Sequence, residues 1–423
     1  MASSLASGIF AMSHDVRRAR TRSRSRGRES TARSYVRSTS WVKATHAPLA
    51  QRPRFLLLVT LLAPGCFSRP RDACNPEPRP GELGTICGFE NPEDVEAVPA
   101  AGVVLVSEMR AMRGKGGGAL AAVPLEGPPV PRRLFPAADG AGERGAGAGL
   151  SPVGDPGCTT SPRAETFSPH GITAVPTEFP GVTRVAVVGH RPLREAIELF
   201  DLTGTGADAR LAWRGCVPLP DATVGNDVAF AADGEIVVSN FVPIMEGLPG
   251  LYYVLKGRLG RPTGDLIAWH PEHGWRHIPG TTAPTPNGVA VSADGAVVFY
   301  SQTGAGQVAR VSRAGGAPEQ TSVQGNPDNL SWSRRGTLLA ATHTDSVGLI
   351  LCVLGRHPCR AGWSLLEIDP QTLRVTERLH HDGGAIGGVA SVTEVEGRYY
   401  LGSFLDDRIG IWRPVTTDGA LRP

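Results

Sequence analysis

Acidic and amide side chains recur at one kind of place in this chain, the polar turn that opens a short apolar stretch. Glu93 and Asp94 open NPEDVEAVP (from Asn91), and His170 opens SPHGITAVP (from Ser168). Asn226 and Asp227 open GNDVAFAADG, Asn287 opens PNGVAVSADG, Asp328 and Asn329 open PDNLSWSRRG, and a sixth stretch, GVASVTEVEG, starts at Gly388. Asn and Asp suit turns by themselves, but polar openers repeated at equivalent positions point to a shared role. Carboxylates gathered at one axis repel one another unless a cation sits among them. A mixed set of carboxylate and amide oxygens fits Ca2+, a hard ion that takes many oxygen ligands. Zinc or copper would call for more His and Cys than the openers supply.

The elements that must position these residues follow from the same repeat. Each opener starts a predicted strand, and a second follows: GVVLVSEM, RVAVVGH, EIVVSNF, AVVFYSQ, TLLAATHT and RYYLGSF. A third set comes after: GALAAVPL, AIELFDL, DLIAWHP, QVARVSR, SLLEIDP and RIGIWRP, with a weaker fourth strand in several units, as in RLAWRGCVPL from Arg210. Turn signals such as ADG at Asp233 and Asp294 separate first from second strands. The pattern predicts an all-β chain, a six-bladed β-propeller of four-stranded antiparallel blades. Its even repetition disfavours a β-sandwich or two packed domains. In an antiparallel blade the start of strand one and the end of strand two share a rim. The openers are therefore expected beside Glu108, His190, Asn240 and His343, at the mouth of a central tunnel if first strands are innermost.

Composition agrees with many short strands, since the 423 residues include 53 Gly and 36 Pro, and long helices are not expected after residue 90. The net charge of +3 hides an asymmetry: residues 1–65 contain 12 Lys or Arg against Asp15 and Glu29, which leaves 31 basic and 38 acidic residues in the rest. That acidic body excludes nucleic acid as an expected partner. Residues 1–54 are basic and Ser-rich, which predicts a disordered extension, read either as an RNA-binding arm or as an overcalled start. The overcalled start is favoured, because a second, better-formed N-terminus follows. Residues 55–66 hold the apolar run FLLLVTLLA after Arg52 and Arg54 and end in PGC at Cys66. This predicts a secretory signal peptide, too short to span a bilayer. A cysteine at the cut also suggests a lipoprotein signal, in which a lipid on Cys66 would tether the chain to a membrane; Pro64 departs from the usual pattern. The protein is thus expected to be exported, either periplasmic or membrane-anchored.

Export makes the remaining six cysteines candidates for disulfides, with fifteen connectivities open. The expected pairs are Cys74 with Cys87, Cys158 with Cys216, and Cys352 with Cys359. Residues 67–89 are read as a linker with an N-terminal strand, 90–415 as the propeller with a Gly/Pro-rich surface insert from about Pro136 to Pro162, and 416–423 as a tail.

The segments PEDVEAVP, SPHGI, GNDV, TPNGVAVSADG, PDNLSW and GGVASV, in this order, resemble the strand openers of the paraoxonase/arylesterase family, related to the gluconolactonase and regucalcin-like propellers. The resemblance runs from about Glu90 to Pro414. It implies two calcium ions in the tunnel, one catalytic and one structural. By matching motif, the catalytic ion would be held by Glu93, Asn226, Asn287, Asp328 and Asn329, and the structural ion by Asp94, Asp227 and the backbone carbonyl of Ile172. It also implies His170 and His190 as the active-site histidines, the second in VVGHRPLREAIELF. The implied activity is hydrolysis of a small-molecule ester or lactone, with calcium polarising the carbonyl and a histidine activating water. A sugar-lactone hydrolase of the gluconolactonase type and a non-catalytic ligand-binding propeller are the alternatives. No GxSxG nucleophile elbow is present, and GKGGGA from Gly114 lacks the Lys-Ser/Thr ending of a phosphate-binding loop.

Overall fold

The computed structural model describes residues 73–110, 117–137, 153–191, 195–244, 247–355 and 357–415. The readings made above of 1–54, 55–66, Cys66 and the 416–423 tail lie outside these residues. The described chain forms six four-stranded antiparallel sheets. Blade one contains Pro92–Val98, Val103–Glu108, Ala119–Pro124 and Arg132–Phe135. Blade two contains Ser168–Pro176, Thr183–His190, Ala196–Thr203 and Arg210–Pro218. Blade three contains Val224–Phe230, Ile236–Val242, Asp265–His270 and Gly274–His277. Blade four contains Pro286–Val291, Val297–Gln302, Gln307–Ser312 and Glu319–Ser322. Blade five contains Asn326–Trp332, Leu338–His343, Trp363–Ile368 and Val375–His381. Blade six contains Val389–Val395, Arg398–Ser403 and Arg408–Trp412, and its outer strand is Leu83–Cys87 from the other end of the chain. Leu83 pairs with Trp412 and Cys87 with Arg408, so the ring is closed by backbone hydrogen bonds between the two ends of the propeller.

The six first strands are innermost, each packed against the next around a closed circle. Apolar side chains of neighbouring blades fill the space between sheets. Val103 and Leu105 of blade one meet Val185, Val187 and Phe200 of blade two, and Ala290 and Phe299 of blade four meet Leu338 and Ala340 of blade five. Each such buried Val, Leu or Phe stabilises the fold by about 1.5–3 kcal/mol. The far halves of all six inner strands line an axial cavity of about 1380 Å³, with Ile172 and Asp227 among its lining residues.

Three disulfides, Cys74–Cys87, Cys158–Cys216 and Cys352–Cys359, match the expected pairs. The first staples the closing strand of blade six. The second fixes the end of the blade-one insert along blade two, where Val153 and Asp155 donate to the carbonyls of Arg214 and Cys216 and cover that sheet edge. Two helices interrupt the repeat, Gly247–Arg258 in blade three and Ser346–Val353 in blade five. Both connect a second strand to a third at the rim of the openers. Among the described residues no helix is long and apolar enough to cross a membrane.

Candidate functional site

All six inner strands depart from regular pairing at the opener. The register shifts between Pro92 and Asp94, Pro169 and Ile172, Gly225 and Val228, Pro286 and Val289, Pro327 and Leu330, and Val389 and Ser391. A bulge of this kind takes residues out of the ladder and re-aims their side chains. The residues skipped include Glu93, His170, Asn226, Asp227, Asn287, Asp328 and Asn329. Backbone N–H groups released by the bulges need other partners, and the second strands supply them. The hydroxyls of Ser107, Ser239 and Ser301, all fully buried, accept from the N–H groups of Asp94, Asp227 and Gly288 at 3.0, 2.9 and 2.8 Å.

The bulges also bring neighbouring blades close. A Cβ on Gly171 would stand 2.6 Å from the Asn226 carbonyl oxygen and from Asp227 Cα, and one on Gly288 would stand 2.4 Å from the Leu330 nitrogen. The glycines of HGI and NGV are therefore required by the approach of the next inner strand.

At the mouth, the Asn329 amide donates to Glu93 Oε1 at 3.0 Å, and His170 Nε2 lies 3.4 Å from that same oxygen and 3.5 Å from Asn226 Nδ2. Asp328 is held by His343, whose Nε2 is 2.8 Å from Asp328 Oδ2. Since a carboxylate only accepts, the Glu93 contact fixes the Asn329 amide with its oxygen elsewhere. Glu93 Oε2, Asn226 Oδ1, Asn287 Oδ1 and Asn329 Oδ1 are buried and have no hydrogen-bond partner within the described protein. Each orphaned polar atom costs about 1–3 kcal/mol. Four oxygens from blades one, three, four and five, with no donors to match, are a donor set suited to a hard cation. Burial first, and then the nearby Asp328, push the Glu93 carboxyl well above the usual carboxylate range. A cation would relieve both effects.

Deeper in, Asp94 and Asp227 play parallel parts. Asp94 accepts from Val95 in its own strand and from Ile172 of blade two, at 2.8 and 2.7 Å. Asp227 accepts from Val228 and from Val289 of blade four, both at 2.8 Å. Each carboxylate thus ties its blade to the next. Burial raises both groups, followed by the charge of Glu93 at Asp94 and of Asp94 at Asp227.

The two histidines are in direct contact, His170 Nδ1 lying 2.8 Å from His190 Nε2. Sequence reasoning missed their third partner. Glu195 Oε1 is 2.9 Å from His190 Nδ1, while its Oε2 accepts the Gly225 N–H at 2.9 Å. Burial and then His190 pull the His170 imidazole down to about 3, leaving it neutral near pH 7. At His190 burial opposes the charge, but the Glu195 charge and hydrogen bond outweigh it and the net shift is upward. Two residues expected at this mouth are engaged within their own blades instead. Glu108 is bound by Arg133 at 2.8 Å, and Asn240 donates to Asp265 at 3.1 Å. Nothing in their sequence context separates them from the residues that line the centre.

No family model matches the chain, and no curated protein matches it. Solved structures similar to it include a luciferin-regenerating enzyme (13% identity, 79% of this chain and 95% of that one, TM-score 0.47). Others are virginiamycin B lyase from Staphylococcus aureus (10%, 78% and 98%, TM-score 0.45) and a gluconolactonase from Xanthomonas campestris (14%, 78% and 88%, TM-score 0.45). The six-blade architecture rests on the chain's own sheet order, and these distant likenesses add no argument about activity.

Proposed function

We propose that this chain is an exported, calcium-dependent hydrolase of small esters or lactones, of the arylesterase or lactonase kind that its opener motifs resemble. The observation that carries this reading is the set of four buried, unpartnered oxygens on Glu93, Asn226, Asn287 and Asn329 beside the His170–His190 pair. With Asp328, these residues would hold a catalytic calcium. Asp94, Asp227 and the Ile172 carbonyl would hold a second, structural one, a reading supported by the crowding of buried carboxylates around Asp94. An ion held by these residues would supply Lewis-acid polarisation of a substrate carbonyl and a positive charge beside its oxygen. His170 accepts the proton of the attacking water, since its Nε2 faces the Glu93 side of the mouth. His190 orients His170 and receives the proton in turn. Three disulfides support export into an oxidising compartment, and a lipid on Cys66 would add a membrane tether.

A panel of aryl esters and lactones, assayed with a calcium chelator and after calcium is restored, tests the reading. Activity that disappears on chelation and returns with calcium is expected. A purified protein with no turnover on any member, yet saturable calcium binding, would instead identify a ligand-binding propeller.

A further inference from the structure

The pair of histidines could in principle run its protons in either direction. If His190 donated to His170, the latter's Nδ1 would be the acceptor and its Nε2 would carry the hydrogen toward Glu93. A base pointing at the mouth requires the opposite order. What breaks the tie is Glu195, at the far end of the row, with Oε1 2.9 Å from His190 Nδ1. A carboxylate has no hydrogen to give, so His190 Nδ1 must be the donor. In neutral His190 the other nitrogen, Nε2, is then an acceptor, and the 2.8 Å contact must be filled by an Nδ1–H of His170. His170 is left with its lone pair on Nε2, the nitrogen that faces the Asn226 amide donor at 3.5 Å and lies 3.4 Å from Glu93 Oε1.

We propose that Glu195 is the positioning residue that sets the proton polarity of the His190–His170 pair, so that the unprotonated Nε2 of His170 faces the proposed metal site. The inference rests on the hydrolase reading for its consequence in turnover, but not for its geometry. Glu195 is itself fixed, since its Oε2 takes the N–H of Gly225, the residue just before Asn226. One carboxylate therefore links the start of the Asn226 opener to the histidine row. In a proton transfer, the water proton passes to His170 Nε2 as the oxygen adds to the carbonyl, and the Nδ1 proton of His170 is free to move to His190 Nε2. His190 then holds two protons opposite the negative charge of Glu195, the arrangement a general base benefits from when its partner is oriented by a carboxylate.

His190 must be neutral for this order to hold, so its protonation defines an acidic limb. The groups that face it are Glu195, His170 and, through its charge, Glu93. Glu195 raises His190, so E195Q moves the limb to lower pH.

Two measurements test the proposal together. Imidazole nitrogen NMR on the wild-type protein, held in chelator at a pH above the acidic limb, should show His190 and His170 both protonated on Nδ1 and bare on Nε2. The E195Q protein, with unchanged melting temperature, should lose about 10- to 100-fold in kcat with KM little changed, and its acidic limb should shift downward. Wild-type His170 found with hydrogen on Nε2 would overturn the proposal, as would E195Q with an unmoved limb. If E195Q does not fold, the wild-type spectrum still decides. A protein without turnover that nevertheless shows both Nδ1–H tautomers would sink the hydrolase reading and leave the role of Glu195 intact.

Discussion

The side-chain amide of Asn329 donates to Glu93 Oε1 at 3.0 Å across 236 residues of sequence, joining blade five to blade one over the mouth of the tunnel. The contact leaves Asn329 Oδ1 and Glu93 Oε2 both buried and unpartnered. These orphaned atoms tie stability to a ligand. Calcium at 100 times its Kd should stabilise the protein by about 2.7 kcal/mol, read as a melting temperature that rises by several degrees on titration.

Replacing one proposed ligand weakens that response. N287A removes a buried carbonyl oxygen from blade four, and the calcium concentration giving half of the thermal shift should rise at least about tenfold. An unchanged titration in N287A would remove Asn287 from the site.

His170 acts on the proton rather than on the ion. H170Q should lower kcat by about 10²- to 10⁴-fold while leaving calcium affinity within about threefold of wild type, since no ligand oxygen is lost. Loss of calcium binding together with activity would mean that His170 holds the site's structure instead.

The buried carboxyls give the metal-free protein an inverted pH dependence. Burial first, and then the Asp94 charge, raise Glu96 to about 8, and Glu93, Asp94 and Asp227 are raised in the same sense. A carboxyl whose folded pKa lies above its unfolded value binds more protons when folded. The stability it contributes is complete below the unfolded pKa and is lost as pH climbs through the folded one. In chelator, the melting temperature should therefore fall between about pH 4.5 and 8, and E96Q should flatten part of that slope.

The disulfides differ in what they constrain. Cys158–Cys216 spans 58 residues and Cys352–Cys359 only seven. By loop closure alone, the first should contribute about 4 kcal/mol and the second about 2.5. Paired Cys-to-Ser variants, compared by chemical denaturation, should rank in that order.

Much of this was legible in the chain. The period of opener, second strand and third strand gave six blades, because strands buried on both faces read as apolar runs whatever their surroundings. The outer strands were harder: Glu319–Ser322 and Val375–His381 are largely solvated, so nothing forces an apolar pattern on them. The closing strand Leu83–Cys87 is apolar enough to read as a strand, but its partner lies at the opposite end of the sequence. The bulges left no composition signal, since an extra residue at a polar turn looks the same in or out of the ladder. Glu195 belongs to the charged sequence RPLREA, where no spacing rule separates it from Arg191 or Arg194. Only the fold shows that it meets His190.

Everything turns on whether one cation is gripped by oxygens from separate blades. Calcium binding to the chelator-stripped wild-type protein and to the E93Q/N329A double variant, followed by titration calorimetry, decides this. Two binding events in the wild type and loss of one in the variant are predicted. Two proteins that bind calcium identically, or a wild type that binds none at millimolar concentration, would contradict the account.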